Sequence, residues 1–208
     1  MKNVIITAPM KPPHEVKPIK YPMDGNKTME YQNPVRCPIN AILAKTMEKD
    51  EKVKVIYILT TGKNSLSKEN MENFKEELEN INKEIGAVIS CETIDMDFNP
   101  TKQTYNKLIT DLTEKIDENA EIYTDITFGH KPEILSLFCA LRFVEEFRDA
   151  VVDYIVYGKV EFNKENREIE NPMLYDITSL YYLFKLMGTM GADSAETASE
   201  TLKEFFAM

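Results

Sequence analysis

Residues 121–158 read EIYTDITFGHKPEILSLFCALRFVEEFRDAVVDYIVYG, and their reading decides the fold. Glu121 to Thr127 is rich in β-formers and stops at Phe128-Gly129-His130-Lys131-Pro132. From Pro132 onward Leu135, Phe138, Cys139, Arg142 (through its stem), Phe143 and Phe147 recur at helical spacing. Val151 to Tyr157 is a second run of β-branched and aromatic residues, closed by Gly158. Strand, helix and strand in so short a span predict a right-handed crossover between parallel strands. The loop from Asp125 to Pro132 then lies at the carboxyl edge of a parallel sheet, where such folds take ligands.

Outward from this unit the alternation continues. Asn3 to Thr7 is apolar and predicts a central strand. Pro38 opens a helix with Ile39, Ile42, Leu43 and Met47 on one face. Val53 to Thr60 is the next strand, and Ser67 caps a helix with Leu66 and Met71 as a staple and Met71, Phe74, Leu78, Ile81 and Ile85 as its stripe. Ala87 to Ile94 is a third strand, Asp95 to Asn99 a turn, and Pro100 opens a helix turning Tyr105, Leu108, Ile109, Leu112 and Ile116 inward. Between the first strand and first helix, prolines at 9, 12, 13, 18, 22 and 34 exclude regular structure. Residues 8–36 are read as an irregular lid over the ligand edge. Tyr21 and Tyr31 either stack on bases there or pin the loop.

Past Gly158, Lys159–Phe162, a turn at Asn163–Asn166 and Arg167–Ile169 predict a short hairpin. Asp176 then caps a helix with Leu180, Leu183, Phe184 and Met187, broken at Gly188 and Gly191, and Ser194 caps a last one with Leu202, Phe205 and Phe206. The expected architecture is α/β: a doubly wound, Rossmann-like, mainly parallel sheet of about five or six strands over residues 1–175. A helical appendage, 176–208, either finishes the core or forms a dimer face.

The chemistry gathers in the loops. Gly129 allows a turn or a close ligand approach. The helix amino end offers N–H groups and a positive dipole, to which Lys131 adds a charge: an anion site, or else an ordinary turn capped by Asp125 and Thr127. Thr61, Gly62, Lys63, Asn64 and Ser65, at the exit of the second strand, suit phosphate or base edges, or a solvated turn. The chain carries 25 Lys and Arg against 35 Asp and Glu, which argues against general nucleic-acid binding. Residues 1–64 nevertheless hold 11 basic against 6 acidic side chains, an excess that suits a small anionic ligand at the first strand ends. Cys37, Cys91 and Cys139, without CxxC or histidine pairing, read as core thiols of a reducing cytoplasm. No signal peptide or apolar run of about 18 residues occurs, so the chain is expected to be neither exported nor membrane-spanning. His14 and His130 are the only histidines and neither lies in a metal-ligand cluster; no metal and no cofactor is expected. GxGxxG after the first strand and the P-loop pattern are absent.

Asp125-Ile126-Thr127-Phe128-Gly129-His130-Lys131-Pro132 resembles the Asp-x-Thr-His-Gly-x-Arg signature of CARF domains, the CRISPR-associated Rossmann-like sensors of cyclic oligoadenylate. Tyr157-Gly158, Tyr175-Asp176-Ile177-Thr178 and Ile58-Leu59-Thr60-Thr61-Gly62 are similar to further segments of that family, in the same order. Phe128 replaces the usual histidine, and Lys131 stands near the usual arginine. The resemblance covers roughly residues 1–190 at low identity. It implies a cyclic oligoadenylate ligand of four or six nucleotides and a homodimer sharing one symmetric pocket, with no duplex nucleic acid and no membrane as partner. It implies a binding set of Thr7, Ala8, Thr60, Thr61, Gly62, Lys63, Asn64, Asp125, Thr127, Phe128, Gly129, His130, Lys131, Tyr157 and Gly158. The Arg and His pair of the HEPN ribonuclease domain that usually follows is missing, and the last helices hold only Lys185 and Lys203 as basic residues, too few for a DNA reader. The expectation is therefore a sensor without an evident effector. Such a chain senses or sequesters the ring, or is the CARF portion of a longer effector, or cuts the ring without metal as a ring nuclease, with Thr127, His130 and Lys131 on the phosphate and His130 moving a proton. Outside the family, a nucleotide-binding Rossmann-like regulator fits the same pattern.

Overall fold

Seven consecutive buried residues, Lys2–Ala8, form the central strand, β1. The computed structural model describes residues 1–62, 65–163, 165, 168–189 and 191–207. These form two units, Met1–Asp176 and the segment from Ile177 onward. In the first, β1 is followed by α1 (Pro38–Thr46), β2 (Lys52–Thr61), α2 (Ser67–Ile85), β3 (Val88–Asp97), α3 (Lys102–Lys115), β4 (Glu121–Asp125), α4 (Lys131–Phe147), β5 (Val151–Phe162) and β6 (Ile169–Asp176). The sheet runs β3-β2-β1-β4-β5-β6. All neighbours are parallel except β5 and β6. This is the doubly wound, Rossmann-like α/β arrangement that the alternation predicts.

Alternation along the inner strands sorts the core. Val4, Ile6, Val53, Val55, Tyr57 and Leu59 pack with Ile39, Ile42 and Leu43 of α1 and Phe74 and Leu78 of α2. Ile5, Ile56 and Ile58 point the other way, to the side of α3 and α4, which pack on each other. Both faces are covered, so the inner strands are apolar throughout rather than alternating.

Several boundaries differ from the sequence expectation. β5 passes through Gly158 to Phe162, because a glycine there lets the strand run against Pro38: an added Cβ would lie 2.6 Å from the proline Cγ. The hairpin is correspondingly longer, and Tyr175 and Asp176 end β6 instead of opening a helix. β3 extends to Asp97, and α3 starts after Thr101, whose hydroxyl and that of Thr104 make a reciprocal cap. Ser67 does not cap α2; its hydroxyl donates to the Thr60 carbonyl at 2.8 Å. α4 turns the opposite face inward. Leu137, Ala140, Leu141 and Val144 are buried, while Leu135, Cys139, Phe143 and Phe147 are exposed. Of the three free cysteines only Cys37 is a core thiol; Cys91 and Cys139 are exposed.

The proline-rich segment between β1 and α1 is anchored along much of its length. It contains two single turns of 3₁₀ helix, Pro13–Glu15 and Lys27–Met29. Val16, Tyr21, Met23 and Val35 are buried in the core. Ile19 and Val35 bridge each other, and Met23 pairs with Leu174. Leu174 donates to Pro22 O at 2.8 Å and its carbonyl accepts from Asp24 N at 3.0 Å, so the segment pairs with the edge strand β6 at that residue. Tyr21 therefore pins the loop.

The second unit holds α5 (Thr178–Thr189) and α6 (Ala195–Ala207). α5 continues through Gly188 and leaves Leu180, Phe184 and Met187 exposed. Ser194 caps α6, accepting from Thr197 N at 3.2 Å. Lys63, Asn64, the hairpin residues Asn166 and Arg167, and the side chains of Phe205 and Phe206 lie outside the described residues.

Candidate functional site

The chain leaves β1 toward β2 on one side and leaves β4 toward β5 on the other, so the strand order reverses between β1 and β4. Loops diverge at such a point and leave a crevice beyond the carboxyl ends. Here it is a cleft of about 350 Å³. Thr7 to Lys11 line it from β1, Thr60 from β2, Thr127 to His130 from the β4–α4 loop, and Tyr157, Gly158 and Val160 from β5.

Two buried carboxylates shape that loop. Asp125, at the end of β4, accepts from Ile39 N at 3.0 Å in the first turn of α1 and from Thr127 N at 2.8 Å, and its Oδ2 lies 3.9 Å from Cys37 Sγ. Burial drives its carboxyl above the ordinary aspartate range, against the downward pull of Thr127 and Ile39. The Thr127 hydroxyl accepts from Gly158 N at 2.8 Å, tying the loop to β5. Glu133 holds the other end. It accepts from Thr7 Oγ1 at 2.8 Å and from His130 N at 3.2 Å. Burial raises its carboxyl as well, with the Thr7 and His130 contacts opposing. Gly129 turns above it at φ 104°, where a Cβ would meet Glu133 Oε1 at 3.1 Å and Thr7 Cγ2 at 3.2 Å.

These bonds reduce the anion capacity of the α4 amino end. The His130 N–H goes to Glu133, Pro132 has none, and Glu133 N bonds to the His130 carbonyl at 2.9 Å. Lys131 is exposed and does not line the cleft. Lys11 is the cation that does. Its segment is fixed by the buried Asn70, whose amide donates to Pro9 O and Lys11 O at 2.8 Å each. Phe128 is turned partly inward and stacks on Phe74, ring centroids 6.0 Å apart.

Nine of the residues implied by the resemblance thus meet in one cleft: Thr7, Ala8, Thr60, Thr127, Phe128, Gly129, His130, Tyr157 and Gly158. Asp125 lies beneath it. Thr61 and Gly62 line a neighbouring cleft of about 510 Å³ with Ser65, Ser67 and Lys68. Lys63 and Asn64 are not among the described residues. Sequence reasoning missed Lys11, Asn70 and Glu133. Only Glu133 carried a signal, an acid three residues after the cap position, where it can reach back to the cap N–H. Among the described residues no cluster of His, Cys, Asp and Glu is suited to a metal, and no helix is long and apolar enough to cross a membrane.

The fold and this cleft define a Rossmann-like α/β protein with a crevice of ligand size at its topological switch point. No known family model matches the chain, and comparison with curated proteins returns no match.

Proposed function

We propose that the protein binds a cyclic oligoadenylate in the cleft between the ends of β1 and β4, as a CARF-type sensor or sink for that messenger. One observation carries the reading: Thr127 to His130, the middle of the stretch resembling the CARF signature, line a single cleft together with the ends of β1, β2 and β5. The lining suits a nucleotide. Thr7 and Thr60 carry hydroxyls, Tyr157 offers a part-exposed ring, and Lys11 a positive charge. The cleft is small for a ring of four or six nucleotides, since sites for single small ligands span about 300–1,000 Å³. A second copy related by a two-fold axis completes the site, and the protein acts as a homodimer. The free thiols suit a reducing cytoplasm.

Ring cleavage is the second reading, favoured by His130 standing in the cleft beside Thr127. In that reaction a ribose 2′-OH attacks the adjacent phosphorus, a 2′,3′-cyclic phosphate forms, and the departing 5′ oxygen takes up a proton. Thr127 is held by Gly158, which leaves proton transfer to His130. The test is incubation with cyclic tetra- and hexa-adenylate in EDTA, with calorimetry and chromatography of products. One intact ring bound per two chains is the expected result. Linear products ending in 2′,3′-cyclic phosphate make the protein a ring nuclease, and absence of binding overturns both readings.

A further inference from the structure

The cleft at the ends of β1 and β4 is sorted by depth. Its floor, made of Thr7, Ala8, Pro9 and Thr60, is buried. Its rim is exposed and holds Lys11, His130 and Tyr157. A nucleotide's phosphate needs a cation and water, whereas its flat base does not, so the base enters first and the phosphate stays at the rim beside Lys11. The base edge then meets the hydroxyls of Thr7 and Thr60, because the Thr127 hydroxyl is committed to the Gly158 N–H. Thr7 pairs with Ile58 across the two strands, and Thr60 stands two residues further along β2. Both side chains therefore lie on one face of the sheet, with Cα atoms about 8 Å apart.

The two hydroxyls are not alike. Each has one proton and two lone pairs. Thr7, 8% exposed, gives its proton to Glu133 Oε1 at 2.8 Å. The ionised carboxylate has no proton to return, and its other oxygen accepts from the His130 N–H at 3.2 Å. Thr7 can thus offer the cleft only a lone pair. The Thr60 hydroxyl has no hydrogen-bond partner among the described residues and is able to donate.

We propose that Glu133 is a specificity-determining residue of the cleft: by holding the Thr7 proton it makes Thr7 an acceptor for the exocyclic amine of adenine, while Thr60 donates to the neighbouring ring nitrogen. Adenine presents that donor beside an acceptor. Hypoxanthine has a carbonyl oxygen in place of the amine and sets it against the Thr7 lone pair. Two acceptors facing each other in a buried place leave both unpaired, which a site built on hydrogen bonds rejects. The inference rests on the nucleotide reading above, and Glu133 lies outside the stretch that suggested that reading.

The test compares cyclic tetra-adenylate with cyclic tetra-inosinate by calorimetry on the full chain, in mildly alkaline buffer that keeps Glu133 ionised. Wild type should bind the adenine ring tighter by about tenfold or more. In Glu133→Gln the amide donates its own N–H to Thr7 Oγ1 and turns the Thr7 proton to the cleft. The adenine ring should then weaken about tenfold while the inosine ring tightens. Thr7→Ser keeps the hydroxyl and should keep the preference, whereas Thr7→Val removes it and should bring the two rings within about twofold of each other. These two variants decide the question if Glu133→Gln fails to fold. A Glu133→Gln protein that loses both rings equally, a Thr7→Val protein that keeps the preference, or a wild type that holds both rings alike overturns the base reading while ring binding stands. A wild type that binds neither ring overturns the ligand reading, and this inference with it.

Discussion

Asp125 and Glu133 close the two ends of one loop, and both are carboxyls held away from water, yet they hold different things. Asp125 takes backbone N–H groups from the start of α1 and from its own loop. Glu133 takes a side-chain hydroxyl from β1 and the N–H of His130, both in walls of the cleft. A carboxylate that satisfies backbone donors from two elements supports the fold, whereas one that satisfies site groups sets the shape of the site. The difference teaches that Asp125 is a structural clamp, while Glu133, beyond the Thr127–His130 stretch that lines the cleft, fixes the shape of the site.

The largest expected effect is that of Asp125→Ala. It leaves the Ile39 and Thr127 donors unpaired in the interior, at about 1–3 kcal/mol each. We expect a loss of about 3 kcal/mol and a melting point lower by about 6–12 °C. Thermal and urea melts check this, and a variant melting within about 2 °C of wild type would break the comparison. Gly158→Ala attacks the same junction from β5. Its methyl group would stand 2.6 Å from Pro38 Cγ and 3.2 Å from Thr127 Oγ1, so overpacking of about 2 kcal/mol is expected.

Glu133→Gln should act on the site more than on stability. It keeps one acceptor oxygen for two donors, so about 1 kcal/mol of stability and about a tenfold loss of ring affinity are expected. It also changes the pH response. Burial lifts Asp125 and Glu133 above their ordinary values of 3.8 and 4.5. Between those values and the raised ones the folded chain binds more protons than the unfolded chain. Their contribution is therefore complete below the ordinary values and is lost as pH rises through the folded ones. Urea melts from pH 4.5 upward should show stability falling less steeply in Glu133→Gln than in wild type. Equal slopes would mean that Glu133 is not the buried acid described.

The smallest effect belongs to Lys131→Ala, with a melting point within about 2 °C of wild type and ring affinity reduced less than about threefold. Lys11→Ala should weaken the proposed ring binding about tenfold, the scale of a charged hydrogen bond. If the two lysines exchange these ranks, the α4 amino end rather than Lys11 is the anchor of the proposed ligand.

Much of this architecture was legible because apolar runs broken by glycine and proline repeat along the chain, and because the loop after Asp125 stands at a strand end. The inward face of α4 was not. Periodicity finds a stripe but not which stripe the sheet takes, and here the sheet takes Leu137, Ala140, Leu141 and Val144 while the bulkier Leu135, Phe143 and Phe147 face out. Glu133 was missed because an acid in the first turn of a helix reads as a partner for the dipole. Lys11 was missed because nothing local shows that Asn70, in another helix, fastens its segment beside β1.

The pairing of Met23 with Leu174 also bears on the order in which the chain acquires its structure. The segment around Met23 leaves the ribosome early, yet its partner strand is the last of the sheet to be made. During synthesis this stretch of the proline-rich strap cannot seat on β6 until residue 174 has been made, and the apolar Met23 stays open to other contacts until then. Closing so distant a pair is slow, and late-docking apolar segments are where nascent chains go astray. Met23 and Leu174 can therefore close only after every other strand of the sheet has been made.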